Sequence, residues 1–344
     1  MSMLDRIGPL RDGAKASLED ALGLGNARRV EKNGHLAIEA GLITDASAFA
    51  SARPTAWQAV QAARHIGRPH ALDIIARAFD RFQELHGDRA FRDDPAIVGG
   101  IAELAGRPVV VIGQQKGAST EENIERNFGM PYPEGYRKAM RLYRLAEKFH
   151  LPLVTLIDTP GAYPGPEAEE RGQAEAIASS IHRMTRLATP IVAVVLGEGG
   201  SGGALALGVA DVVLALENAT YSVISPEGCA AILWRSAAEA ERAAEAMKLA
   251  GPDLLETGVV DALIREPAGG AHTDHDATAA AIKTALVAQL ERLTRVPIAD
   301  LLSLRYERFR AFGAIVEPGI EVVQAPPMPW WRRALRSPLR RGRR

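Results

Sequence analysis

The chain has 344 residues, of which 47% are hydrophobic and 24% charged, a balance that supports one large α/β domain or two average ones. Its formal charge of −1 hides an asymmetry, because residues 332–344 carry seven arginines and no acid and leave the rest at −8; this argues against a nucleic-acid-binding body and leaves the basic tail as the candidate contact. Cys229 is the only cysteine, which excludes an intramolecular disulfide and a cysteine-rich zinc site and, with no signal peptide and no apolar run of about 18 residues, points to the cytoplasm.

Residues 1–55 are polar and alanine-rich and read as loosely packed helices, ending at the break Arg53-Pro54-Thr55. A helix is expected from Trp57 to His65. A stronger one follows Pro69, because Leu72, Ile75, Phe79, Phe82 and Leu85 recur every three or four residues. Trp57 and the Phe79/Phe82 stripe are most simply core. Strands are predicted at 97–104 and 108–113, joined around Ala105-Gly106-Arg107 as a hairpin. There follow a helix at 134–149, a buried strand at 153–158, a helix at 172–187, a buried strand at 191–196 and a helix at 201–209. Strands at 211–216 and 221–224 precede helices at 226–234, 236–249, 252–257 and 274–294. This recurrence predicts a single α/β domain over 56–313. The proline- and arginine-rich stretch 314–344 reads as an appended, flexible tail.

Two of the buried strands end in glycine-rich turns, DTPGAYPG at 158–165 and GEGGSGG at 197–203. Strand ends that feed helices are where open α/β folds place ligands. Five glycines in seven residues leave Cβ atoms in the second turn only at Glu198 and Ser201, so a ligand can approach its backbone. The helix that starts near Ser201 leaves its first N–H groups without intrahelical partners, and the helix dipole makes them a site for an oxyanion. One such donor contributes ~3–4 kcal/mol to a transition state. The plain alternative is close strand–helix packing. A sharper rival is the nucleophile elbow G-x-S-x-G, met by residues 199–203, with Asp261 and His272 following in hydrolase order. No G-x-x-x-x-G-K-[ST] loop is present, and the one G-x-G-x-x-G match, at 197–202, follows too late a strand for a dinucleotide fold.

The two turns, together with AEERGQ at 168–173, YSVISPEGC at 221–229, NFGMP at 127–131, PEGYRK at 133–138 and GQQKG at 113–117, resemble the carboxyltransferase α subunits of bacterial acetyl-CoA carboxylase. The similarity spans 57–313. It implies the α/β crotonase-like (ClpP/crotonase) fold, a spiral of β-β-α units with surrounding helices. It implies carboxyl transfer from carboxybiotin, delivered as a substrate on a biotin carboxyl carrier protein, to acetyl-CoA, giving malonyl-CoA for fatty acid synthesis. No cofactor is then bound covalently to this chain, and zinc is expected only on a carboxyltransferase β subunit that completes the site in an α2β2 assembly.

The resemblance assigns an oxyanion hole for the biotin ureido oxygen to the N–H groups of Gly202 and Gly203, with the enolate's hole on the β subunit. Biotin's own nitrogen then acts as the base, and Ser201 becomes a helix N-cap candidate. Gly161, Ala162 and Gly165 are expected to line the neighbouring wall, and Gly172, Gly199, Gly200 and Ser201 to border the substrate. Arg171 stands either to hold a migrating carboxylate or to pair with Glu169 or Glu170. Lys116 stands either to reach a CoA phosphate or the partner, or to be solvated. Cys229 reads as a small buried packing residue. His86, His272 and His275 show no metal-ligand spacing, so no metal is assigned.

Three features depart from the family pattern: the 1–55 segment lacks charged heptad-like helices, Ala118 and Glu121 stand where basic residues are expected, and the arginine tail is an addition. Trp330, Trp331, Leu335 and Leu339 among the arginines suit either a solvated end or an anionic membrane surface. The alternatives carried forward are a serine hydrolase, a scaffold paralogue, the same chemistry on another acyl-CoA, and malonyl-CoA decarboxylation.

Overall fold

A hairpin turn needs two residues in left-handed backbone if its strands are to twist correctly. Ala105 and Gly106 supply them, at φ 49° and 80°, and join strands that pair residue for residue from Ile97↔Gln114 to Leu104↔Arg107. The computed structural model that shows this describes residues 42–49 and 53–313. The readings made for 1–41, 50–52 and 314–344 lie outside the described residues, and the compact unit described below ends at Arg310.

In chain order its elements are β1 (Leu42–Ile43), α1 (Ala56–Ala63), α2 (Ala71–Ala78), β2 (Asp80–Glu84), β3 (Ile97–Leu104), β4 (Arg107–Gln114), α3 (Thr120–Glu125), α4 (Pro133–Phe149) and β5 (Leu153–Thr159). Then come α5 (Pro166–Glu170), α6 (Gln173–Arg186), β6 (Ile191–Gly200), α7 (Ser201–Gly208), β7 (Val212–Leu216) and β8 (Thr220–Ser222). The last are α8 (Pro226–Trp234), α9 (Ala240–Met247), α10 (Gly251–Glu256), β9 (Ala262–Ile264), α11 (His275–Leu293) and α12 (Ile298–Arg310). Among the described residues one sheet forms, in the order β1-β9-β7-β6-β5-β4-β3-β2, with β8 attached to β6. Strands β4, β5, β6, β7 and β9 run parallel. Their continuous apolar runs are buried, as a sheet covered on both faces requires. Helix α4 packs on β3, β4 and α6, and α6 packs on α7. No helix among the described residues is long and apolar enough to cross a membrane.

Two expectations change. The helix after Pro69 stops at Ala78, and Asp80–Glu84 is a strand antiparallel to β3. The reason lies across the sheet: a Cβ at Gly100 would lie 1.9 Å from the Gln83 carbonyl oxygen, so the bare glycine admits the incoming backbone. Backbone pairing then overrides helical spacing, and Phe82 and Leu85 reach the core from an edge strand and its exit. Leu42–Ile43, read within a helical segment, pairs with Leu263–Ile264 instead.

The feature that positions the site is a change of partner along β6. Val192–Val195 pair with β7, whereas Glu198–Gly200 pair with β8. The strand therefore stays extended to Gly200 and delivers its last residues beyond the main sheet. The runs β3-β4-α3 and β7-β8-α8 each follow a β-β-α order.

Candidate functional site

Helix α7 begins at Ser201, directly on the end of β6, with Gly200 as its N-cap and no side-chain cap. The backbone N–H groups of its first turn, Gly202 and Gly203 among them, therefore lack intrahelical acceptors, as at any helix N-terminus that can receive an anion. Ser201 is not the N-cap. Pairing of Gly200 with Ser222 keeps the strand extended one residue longer, and Ser201 takes the corner itself, exposed and left-handed at φ 54°.

The two glycine-rich turns abut. A Cβ at Gly200 would lie 2.1 Å from the Pro160 carbonyl oxygen, and one at Gly203 would lie 2.5 Å from the Ala162 nitrogen. Gly202 is different, since its Cβ would meet only Ile177 at an ordinary 3.5 Å. Close packing, the plain reading of the glycines, thus accounts for Gly200 and Gly203 but leaves Gly202 without a steric requirement. Thr159 Oγ1 accepts the Gly161 N–H and donates to the Gly161 carbonyl, which sets the course of the wall formed by Gly161 and Ala162. The buried Tyr136 hydroxyl lies under Gly203 and has no hydrogen-bond partner among the described residues.

The exit of β4 anchors both turns. Gln114, fully buried, donates to the Gly203 carbonyl (2.7 Å) and accepts the Asp158 N–H (3.2 Å). Lys116 Nζ reaches Asp158 Oδ1 at 2.9 Å and Glu198 Oε2 at 2.8 Å. Asp158, 1% exposed, also accepts the Glu198 N–H (3.1 Å) and meets His70 Nδ1 (3.0 Å). Arg64 Nε binds the other oxygen of Glu198 at 2.6 Å and continues to Glu227 on α8. Burial opposes ionisation of Asp158, yet the Lys116 ammonium and the His70 ring hold its carboxyl well below the usual range. Burial likewise disfavours the Lys116 cation, but the Asp158 and Glu198 carboxylates raise it above an ordinary lysine. Lys116 is therefore neither solvated nor reaching outward for a phosphate.

Arg171 pairs with Glu134 rather than with Glu169 or Glu170. Glu134 is fully buried and also binds Arg92 at 2.7 Å. Both guanidiniums lie within about 5 Å of the Phe91 and Tyr132 rings. This cluster joins the 158–165 turn through the tilted ring pair of Tyr132 and Tyr163, centroids 4.3 Å apart and planes at 38°. Gly165 is the N-cap of α5 and Gly172, at φ 81°, that of α6. Cys229 is half-buried, not fully buried. No group of three or more His, Cys, Asp or Glu side chains among the described residues is placed to hold a metal.

A hydrolase triad is not assembled. Asp261 accepts the Val213 N–H and pairs with Arg308, while His272 stacks on His65 at 3.7 Å. No hydrogen bond among the described residues links either to Ser201. The sequence reading missed His70, Arg64, Gln114 and Glu227. The conspicuous run at 113–117 was the one signal that could have led to this network.

The same fold is found in carboxyltransferases acting on acyl-CoA. Transcarboxylase 12S aligns with a TM-score of 0.55 at 23% identity, over 68% of this chain and 44% of that one. The β subunit of geranyl-CoA carboxylase from P. aeruginosa aligns at 0.53 and 17%, over 72% and 46%. These likenesses show the fold alone, a crotonase-like α/β fold. A family model described as acetyl co-enzyme A carboxylase carboxyltransferase-like matches residues 42–313. The acetyl-coenzyme A carboxylase carboxyl transferase subunit alpha of Thermus thermophilus is 62% identical over 264 residues, 77% of this chain and 84% of that protein. Its counterpart in Methylococcus capsulatus is 60% identical over 77% and 82%. The chain belongs to the family of acetyl-CoA carboxylase carboxyltransferase α subunits.

Proposed function

We propose that this chain supplies the biotin-side half of a carboxyltransferase site that makes malonyl-CoA from acetyl-CoA, with the domain at 56–313 carrying the chemistry in the cytoplasm. The observation that carries the reading is the β6–α7 turn: first-turn N–H groups of a helix set on a strand end, held by Gln114 and by the Lys116 network. The carboxyl donor is carboxybiotin on a carrier protein. Its N–CO₂ bond breaks, and the electron pair moves onto the ureido nitrogen and oxygen as CO₂ departs. The N–H groups of Gly202 and Gly203 stabilise that oxyanion. The freed biotin nitrogen takes a proton from the acetyl methyl group, and the enolate carbon bonds to CO₂.

No side chain of this chain is needed as base or nucleophile, which fits an exposed Ser201 to which no histidine among the described residues is hydrogen-bonded. The acetyl-CoA enolate needs its own donors, and a β-type subunit, bearing the zinc, would provide them in an α2β2 assembly. Gly161, Ala162, Gly165, Gly172, Gly199, Gly200 and Arg171 border the biotin path in this reading.

The test is co-production with a β-type subunit and a reverse assay of carboxyl transfer from malonyl-CoA to biocytin. Transfer is expected only when both subunits are present. A complex that forms but transfers nothing under saturating substrates would sink the proposal.

A further inference from the structure

A backbone oxyanion hole has an electrostatic weakness: any uncompensated carboxylate nearby opposes the charge it must stabilise. This chain places two there. Glu198 is a member of the turn, and buried Asp158 accepts its N–H. We propose that Lys116 is the positioning residue that neutralises this pair and sets the aim of the 199–203 backbone; the proposal rests on the reading of that turn as the biotin-side oxyanion site.

The geometry singles out Lys116 from the other groups around Asp158. Of these two carboxylates the His70 ring meets only Asp158, at Oδ2, and Arg64 bonds only Glu198, continuing to Glu227. Lys116 alone among the described cations bridges Asp158 and Glu198, at 2.9 and 2.8 Å. Its side chain is 13% exposed, so solvent screens the pair little. Its stem is pinned as well. Asn127, Phe128 and Gly129 take three successive left-handed conformations, at φ 48°, 54° and 72°. That unusual turn brings Gly129 so close that a Cβ there would lie 2.6 Å from Lys116 Cγ. Two consecutive non-glycine residues held left-handed imply a conformation fixed by its surroundings, and its third residue, Gly129, lies against the Lys116 stem and the Asp158 carbonyl.

The charge balance follows. Asp158 and Glu198 carry two negative charges, Lys116 offsets one, and Arg64 is shared between Glu198 and Glu227. Without the ammonium, the site gains net negative charge at the point where the ureido oxyanion forms. The Asp158 carboxylate then also loses the partner that, with His70, keeps it ionised.

The experiment uses the chain in complex with its β-type subunit, comparing Lys116→Met, Lys116→Arg and the double variant Lys116→Met/Glu198→Gln. Lys116→Met is expected to lower kcat roughly tenfold to a hundredfold at pH 8, with the acetyl-CoA KM within about twofold of the parent. That deficit is expected to shrink at lower pH, as Asp158 protonates. Lys116→Arg keeps the charge and should recover most of the loss, and so should the double variant, which removes one charge of each sign. In the chain alone, amide exchange over 197–203 is expected to quicken in Lys116→Met and not in Lys116→Arg. A Lys116→Met protein with parental kcat and parental exchange overturns the proposal. So does an equal loss in all three variants with an unaltered pH profile, which would make Lys116 a space-filler. An inactive parent complex would instead defeat the transfer reading, and the exchange comparison would still decide the role of Lys116.

Discussion

Ser201 occupies the corner that a catalytic nucleophile would take, and its backbone shows that it is there under constraint. A non-glycine residue in left-handed conformation costs ~1–2 kcal/mol, and Ser201 sits at φ 54°. Ser201→Gly should therefore leave the unfolding free energy unchanged or raise it by up to ~1 kcal/mol. Carboxyl transfer should stay within about twofold of the parent; a loss of orders of magnitude would restore the hydroxyl to the mechanism. Asp94 is a second residue whose setting makes a prediction. It is 1% exposed, and burial raises its carboxyl to about 6 even though the N–H groups of Ala96 and Tyr132 and the nearby Lys138 favour the charged form; Glu134 adds to the rise. Because the folded value lies above the ordinary one of about 3.9, the native state holds a proton that the unfolded chain releases. The associated stability is present at low pH and fades as pH rises from about 4 through about 6. Denaturant titrations of the parent and Asp94→Asn should show their difference shifting against the parent by roughly 2 kcal/mol between about pH 4.5 and 7. A constant difference would mean that Asp94 titrates normally.

The turn between β6 and α7 is glycine-rich for different reasons at different positions, and substitution should separate them. Alanine at Gly200 or Gly203 would drive a Cβ into the backbone of Pro160 or Ala162. Overpacking of that kind costs about 1–3 kcal/mol or more, so both variants should melt well below the parent. Alanine at Gly202 meets only Ile177 at 3.5 Å, keeps its N–H, and gains helix propensity of up to ~1 kcal/mol. A parental or higher melting temperature is expected there, and a fall like that of Gly203→Ala would contradict the packing described. This difference also marks the limit of what the sequence could tell. Period and capping are local, so α11 was placed within a residue at each end, with Asp274 capping the Ala277 N–H. The end of α2 was misplaced because the cause, a bare Gly100 across the sheet, is not local. The anchoring network was invisible for the same reason: His70 and Asp158 are 88 positions apart, and Glu134 and Arg171 are 37 apart.

At the scale of the molecule, the family and its two glycine turns were legible because they are long contiguous motifs, whereas the surface that surrounds them is assembled only by folding. Helix α8 carries Glu227 into the Arg64–Glu198 linkage and so borders the turn. Its far end exposes Ile232 at 72% and Leu233 at 62%, and Val223, in the segment just before it, stands at 78%. Single exposed apolar residues are ordinary, whereas a contiguous exposed apolar patch marks an interaction surface. If the chain works as the biotin-side half of a site shared with a β-type subunit, as proposed above, that subunit is the expected occupant of this surface. The double variant Ile232→Lys/Leu233→Lys should fold with the parental melting temperature, because both side chains already face solvent. It should weaken association with the β-type subunit by about tenfold or more, since burying two lysine charges in an apolar contact is unfavourable. Sedimentation of the mixed subunits would check this directly. Association at parental strength would place the interface on another face of the chain.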